Sequence, residues 1–242
     1  MLASRIHLIK PFVTTRIPLL LPRAATTTVL SAHHNYRHLS TTASNAIDMS
    51  HATRASTRSH DCISEPVKKD HRELEDYYHK ILNAKDEDEK TRWANQFTWE
   101  LARHSAGEEL IMYPRMREVL PDGDAMVDKD LQEHQQTKEL LFKFQGLKAT
   151  DPSFESTLRE LWTGLSQHIK EEEENDLIQF EKAISNDESL ELSKKFQLTK
   201  KFVPTRSHPS APNQPPFETV VGLMSAPIDK LRDLFSRFPK DE

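Results

Sequence analysis

With one cysteine, Cys62, the chain can form neither an internal disulfide framework nor an all-cysteine metal site. Its five glycines exclude glycine-rich phosphate loops and argue against an all-β fold built on tight turns. No run approaches the roughly 18 consecutive apolar residues that a bilayer-spanning helix needs, so no membrane span is expected. A net charge of −5 gives no electrostatic reason to expect a nucleic-acid partner. What remains is a helical chain, 29% charged, of 242 residues. That is long enough for one good-sized domain with extensions.

Acidic residues are absent from positions 1–47, which carry Arg5, Lys10, Arg16, Arg23 and Arg37 among many Ser and Thr. A basic, Ser-rich, acid-free start reads as a mitochondrial transit peptide, expected over residues 1–42 and ending near Arg37-His38-Leu39-Ser40. The expected location is the matrix; without such a leader it would be the cytoplasm. Residues 43–60 read as linker. At the other end, seven of the 14 prolines fall between Pro204 and Pro239, which prevents one continuous helix over 186–242. After Pro227 a short helix is expected, with Ile228, Leu231, Phe235 and Phe238 at helical spacing. A strap folding back on the main domain is the preferred reading of this extension, and a partner-docking helix the alternative.

Residues 61–185 divide into four segments of helical period. The first should be capped by Ser64 with Pro66 in its first turn, and its stripe is Val67, His71, Leu74, Tyr78 and Leu82. The second begins in Asp86-Glu87-Asp88-Glu89, which suits a helix N-terminus, and its stripe is Trp93, Phe97, Leu101, His104, Glu108 and Ile111. Pro114 is expected to bend or end it. The third carries Val127, Leu131, His134, Leu141 and Phe144. The fourth, capped by Asp151 before Pro152, carries Phe154, Leu158, Leu161, Leu165, His168 and Glu172. Short connections make consecutive helices antiparallel neighbours, so the expected architecture is an all-α, up-down-up-down four-helix bundle.

Each stripe holds one histidine, and two hold a glutamate four residues later. Counted from the turns, the four histidines fall within about 9 Å of one height. Burying Glu108 and Glu172 beside them would cost several kcal/mol per charge unless cations offset it. Imidazole with carboxylate suits iron, manganese or zinc, and the lack of thiolates argues against Cu(I) or an iron–sulfur cluster. His104-x-x-x-Glu108 and His168-x-x-x-Glu172 place both groups on one helix face, so each carboxylate could bridge two ions. Neither Glu-x-x-His nor His-Glu-x-x-His occurs, which weakens ferritin-like and zinc-protease readings. His79 should be peripheral. Glu109 and Glu133 adjoin these residues as further ligands or imidazole partners, whereas only Glu172 of the run Glu171–Glu174 is in register. Gly107 and Gly164 should mark loose packing, or room for a small molecule.

Asp70-His71-Arg72-Glu73-Leu74, His104 through Glu108 to Tyr113-Pro114, Glu133-His134, and His168 with Glu172 together resemble the hemerythrin-like proteins with an HHE cation-binding domain, fungal members in particular. The resemblance covers about residues 60–185. It implies a non-haem di-iron bundle with His71, His104, His134 and His168 as terminal ligands and Glu108 and Glu172 as bridges. Two departures stand out. Lys138 occupies the position where oxygen-carrying hemerythrins place a second histidine on the third helix, and His168-x-x-x-Glu172 replaces their His-x-x-x-x-Asp. The expectation is therefore a protein that binds or senses O2, NO or peroxide, or handles iron. A di-iron oxidase, peroxidase or NO reductase is the enzymatic alternative, and a metal-free helical interaction module the structural one. The sequence indicates no particular protein partner.

Overall fold

The computed structural model describes residues 61–211 and 217–240, and of 217–224 the backbone alone. The expected transit peptide and linker lie outside the described residues. All described elements are helical: α1 (Ser64–Leu82), α2 (Glu87–Gly107), α3 (Tyr113–Val119), α4 (Gly123–Gln145), α5 (Phe154–Glu171), α6 (Leu177–Ala183), α7 (Asn186–Thr199) and α8 (Phe217–Asp233). A π-helical turn, Glu108–Met112, joins α2 to α3, and a second, Glu172–Asp176, joins α5 to α6. Helices α1, α2, α4 and α5 form the four-helix bundle, α1 packing on α2 and α5, and α4 on the same two.

The bundle core is divided. One apolar cluster contains Leu74, Phe97, Leu101, Leu141, Phe144, Leu158, Leu161 and Leu165. The other contains Val67, Met112, Tyr113, Met116, Val127, Leu131, Leu177, Phe180 and Phe196. Along each long helix the histidine falls between residues of the two clusters, so the stripes are interrupted at one level by a polar layer. Some 25 cal/mol per Å² of buried apolar area on both sides holds that layer in place.

Several local expectations need correcting. Ser64 is the first residue of α1, not its cap; its backbone N–H donates to Glu181 Oε1 at 3.1 Å, so a carboxylate 117 residues away satisfies that helix end. Asp86 does cap α2, accepting from Glu89 N–H at 2.8 Å. Asp151 lies three residues before α5 and closes the preceding turn by accepting from Lys148 N–H. Pro114 does not end its helix: it sits in the first turn of α3, where a missing N–H is least costly. The second π turn forms with Ile178 at the matching place, so the proline is not what produces such a turn.

The chain beyond residue 185 shares the core. Phe196 of α7 is fully buried against the first π turn and α2. Past α7 the chain is tied to α4, where Ser207 N–H donates to Gln145 Oε1 and Ser207 Oγ to the Lys138 carbonyl. The C-terminal segment reaches α2, where Arg92 donates to the Phe238 carbonyl and the Phe238 ring stands edge-on to Trp99. The expected helix after Pro227 is longer than anticipated, because α8 begins at Phe217 and runs through that proline. Of its supposed packing stripe only Phe238 is tucked in; Ile228, Leu231 and Phe235 are exposed.

Candidate metal centre

The six residues expected to form a site come from four helices and meet in the polar layer. His71 (α1), His104 (α2), His134 (α4) and His168 (α5), with Glu108 and Glu172 at the starts of the two π turns, are each no more than 4% exposed. His104 Nε2 is 3.1 Å from Glu108 Oε1, and His134 Nε2 is 3.4 Å from Glu108 Oε2. His71 Nε2 is 3.2 Å from Glu172 Oε2 and 4.0 Å from Glu108 Oε1. His134 Nε2 and His168 Nε2 are 3.2 Å apart. Two groups result, His71–His104–Glu108 and Glu108–His134–His168, and within each the potential ligand atoms lie within 4.8 Å of one another. Glu108 belongs to both. His79 is exposed on α1 and takes no part.

On the outer side, every one of these imidazoles meets an acid. Nδ1 of His71 is 2.8 Å from Glu173 Oε1, that of His104 3.2 Å from Asp70 Oδ2, that of His134 2.7 Å from Glu109 Oε1, and that of His168 2.8 Å from Glu133 Oε2. A carboxylate only accepts, so each Nδ1 carries the proton and each Nε2 presents a lone pair to the centre. Glu109 and Glu133 are thus imidazole partners. Glu173 corrects the expectation that only Glu172 of this acidic run is in register, and Asp70, noted only within the family-like motif, is the partner of His104. The legible signal was a doublet in each stripe: Asp70-His71, Glu108-Glu109, Glu133-His134 and Glu172-Glu173. An acid one residue off the stripe reaches the histidine of a neighbouring helix.

The layer is electrostatically incomplete as protein alone. His71 Nε2 and all four carboxylate oxygens of Glu108 and Glu172 are buried without a hydrogen-bond partner. Such groups cost about 1–3 kcal/mol each, more when charged. Burial, then the charges of Glu172 and Asp70, raises the Glu108 pKa well above 4.5. Burial, then the neighbouring His71, depresses His104, and burial depresses His134. At His71 burial is outweighed by Glu172 and Glu173, and the pKa rises. Converging lone pairs and unsatisfied carboxylates are what a cation repairs, so the donor set fits a metal.

The two halves of the layer are unequal. The Tyr113 hydroxyl lies 3.0 Å from His134 Nε2, whereas Leu177 holds the corresponding place after the second π turn. Asp130 and Asp176 are buried near His168; burial, then Asp176 and Glu172, pushes the Asp130 pKa up to about 7, and burial, then Glu172, pushes that of Asp176 up to about 6. One turn before His71, the place that Asp130 takes before His134, stands the apolar Val67. A further acidic group, Asp70–Glu73–Glu100, is partly occupied by the chain's own cation, since Lys200 Nζ bonds both Asp70 and Glu100.

Of the helical glycines Gly107 and Gly164, only Gly107 departs from the expected loose packing. A Cβ on Gly107 would stand 2.7 Å from the Phe196 ring, so this glycine permits close approach of α7. One on Gly164 would meet nothing within 4 Å.

Comparison with known proteins gives a consistent assignment. Residues 62–177 match the hemerythrin HHE cation binding domain. An uncharacterised hemerythrin-like protein of Schizosaccharomyces pombe is 53% identical over 178 residues, covering 73% of this chain and 88% of the relative. A DNA nickase of Nostoc is 22% identical over 144 residues, 60% of this chain and 40% of that protein. The fold matches the crystal structure of a hemerythrin HHE cation binding domain-containing protein from Mycobacterium kansasii, with a TM-score of 0.51 and 22% identity, over 58% of this chain and 85% of the other.

Proposed function

The chain belongs to the hemerythrin HHE cation-binding family, and from that premise we propose that its bundle holds two non-haem iron ions for the binding or sensing of O2, NO or peroxide, or for iron handling. The observation that carries this reading is the inward convergence of four Nε2 lone pairs on two carboxylates whose oxygens have no other partner. His71 and His104 would hold one ion and His134 and His168 the other, with Glu108 and Glu172 supplying the carboxylate oxygens. Two imidazoles with carboxylate oxygen at each position is the donor set that non-haem iron shares across many proteins, though manganese or zinc would also be accepted. Iron bound there supplies redox change and an open coordination position.

The chain's own residues then do three things. Asp70, Glu109, Glu133 and Glu173 hold the imidazole tautomers and orientations. The apolar clusters above and below exclude water. Tyr113, whose hydroxyl lies 3.0 Å from His134 Nε2, would be placed to donate to a small ligand held at that side of the layer. Lys138 as an ammonium has no lone pair for a metal, so the second third-helix histidine of the oxygen carriers has no counterpart here, which would leave room for a small ligand.

Elemental analysis of the purified protein from residue 44 onward tests the reading: about two irons per chain are expected. His104→Ala and His168→Ala should each remove at least one. Full metal content in both variants would show that the ions sit elsewhere.

The basic leader supports a mitochondrial location. A fluorescent fusion of residues 1–50 should enter mitochondria, and cytosolic fluorescence would withdraw this proposal.

A further inference from the structure

Each acid that holds a histidine Nδ1 is itself paired with a cation, and the four cations differ sharply in burial. Arg72 bonds Glu173 and Lys129 lies 2.9 Å from Glu133. Lys138 bonds Glu109 and Lys200 bonds Asp70. Arg72 and Lys129 have side chains 57% and 50% exposed, whereas Lys138 and Lys200 are 18% and 9% exposed. Their acids follow suit, with Glu109 fully buried and Asp70 nearly so. We propose that Lys138 and Lys200 are positioning residues that set the redox balance of the centre, acting through Glu109–His134 and Asp70–His104, while Arg72 and Lys129 only orient their acids. This rests on the iron reading above.

The reasoning is electrostatic. A carboxylate accepting from an imidazole N–H makes the opposite nitrogen a stronger donor, which favours the more highly charged ion. An ammonium on the same carboxylate draws that electron density back. It also adds a positive charge in a region of low dielectric, where screening is weak. Both effects favour the reduced ion. At Arg72 and Lys129 water screens the charge, as it does for most surface pairs.

The arrangement gives each ion position one buried cation. Lys200 serves the His71–His104 side and comes from the residue following α7, outside the four-helix bundle. Lys138 serves the His134–His168 side and stands one turn after His134. A lysine there in place of a ligand exchanges a donor bond for a charge held two residues away from the metal.

The test uses the full-length protein, loaded anaerobically with Fe(II), and compares Lys138→Met with Lys129→Met. Both act on the same ion position, one buried and one exposed. Iron content is read by elemental analysis and the midpoint potential by an optically monitored redox titration. Both variants should keep the wild-type iron content. Lys138→Met should raise the preference for ferric over ferrous iron about tenfold, roughly 59 mV to lower potential for a one-electron couple. Lys129→Met should leave it within a factor of about two, and Lys138→Arg should restore the wild-type value. If Lys138→Met does not fold, Lys138→Gln removes the charge while keeping a donor to Glu109, and is read in the same way. A wild-type potential in the uncharged variant, or an equal shift in Lys129→Met, overturns the proposal. Wild-type protein that takes up no iron instead overturns the functional reading beneath it.

Discussion

Glu108 concentrates the electrostatics of the layer in one side chain. It is fully buried, both its oxygens lack a partner, and its pKa is raised by burial and by Glu172 and Asp70. A carboxyl whose pKa is higher folded than unfolded binds its proton more tightly in the folded state. The metal-free protein therefore loses stability as pH rises from about 4.5 through the folded-state pKa. Glu108→Gln removes that cost. Metal-free Glu108→Gln should exceed metal-free wild type by about 1–3 kcal/mol at pH 7, with the gap closing near pH 4. Denaturant unfolding of both proteins at the two pH values measures it. The same variant should hold less metal, because the shared carboxylate charge is gone. A carboxylate that helps the loaded protein and harms the empty one is retained for binding. Glu108 was legible in the sequence because it follows His104 by one helical turn. Asp70 and Glu173 were not, because an acid one residue off the stripe looks solvated until the neighbouring helix is in place.

At the scale of the helix, the two π turns account for what periodicity misplaced. Each begins at a glutamate of the polar layer, and over the widened turn two consecutive acids reach its histidines, Glu108 and Glu172 from the centre and Glu109 and Glu173 from the outer side. The same widening recurs one turn later, where Met112–Tyr113 and Asp176–Leu177 are both buried pairs. A strict 3.6-residue period admits one such residue per turn, so the sequence stripe took in Glu108 and Ile111 and missed Tyr113. The glycines belong to this scale as well. Gly107→Ala sets a Cβ against the Phe196 ring just before the first π turn and should destabilise by about 1–3 kcal/mol. Gly164→Ala meets open space in mid-helix and should stabilise by up to about 1 kcal/mol. Thermal melts of the two variants should move in opposite directions; loose packing at both sites would instead move both upward.

Across the whole molecule the layer repeats itself. Asp70-His71, His104 and Glu108-Glu109 with their π turn and short α3 are followed by Glu133-His134, His168 and Glu172-Glu173 with a π turn and short α6. Each half contributes two imidazoles to one group of potential ligands, and Glu108 belongs to both groups. The four-helix architecture was readable because every long helix carries apolar residues at helical spacing in line with its histidine. The role of α7 was not, since its short stripe gains meaning only from the glycine it packs on. On the proposed reading, metal bound in such a layout would be a fastener between two helix pairs. A ligand bound only by the folded state at a thousand times its dissociation constant contributes about 4 kcal/mol. Exhaustive chelation should therefore lower the melting temperature. It should also speed amide exchange around His71, His104, His134 and His168 together, because removing the cations leaves four lone pairs and two carboxylates facing one another. The strap at Ser207, held by its own bonds to Gln145 and Lys138, should exchange as before. Exchange that quickens in one helix pair alone would mean that the halves are not joined through metal. Melting and exchange that ignore chelation would leave the histidine layer as packing, and the protein as a helical interaction module.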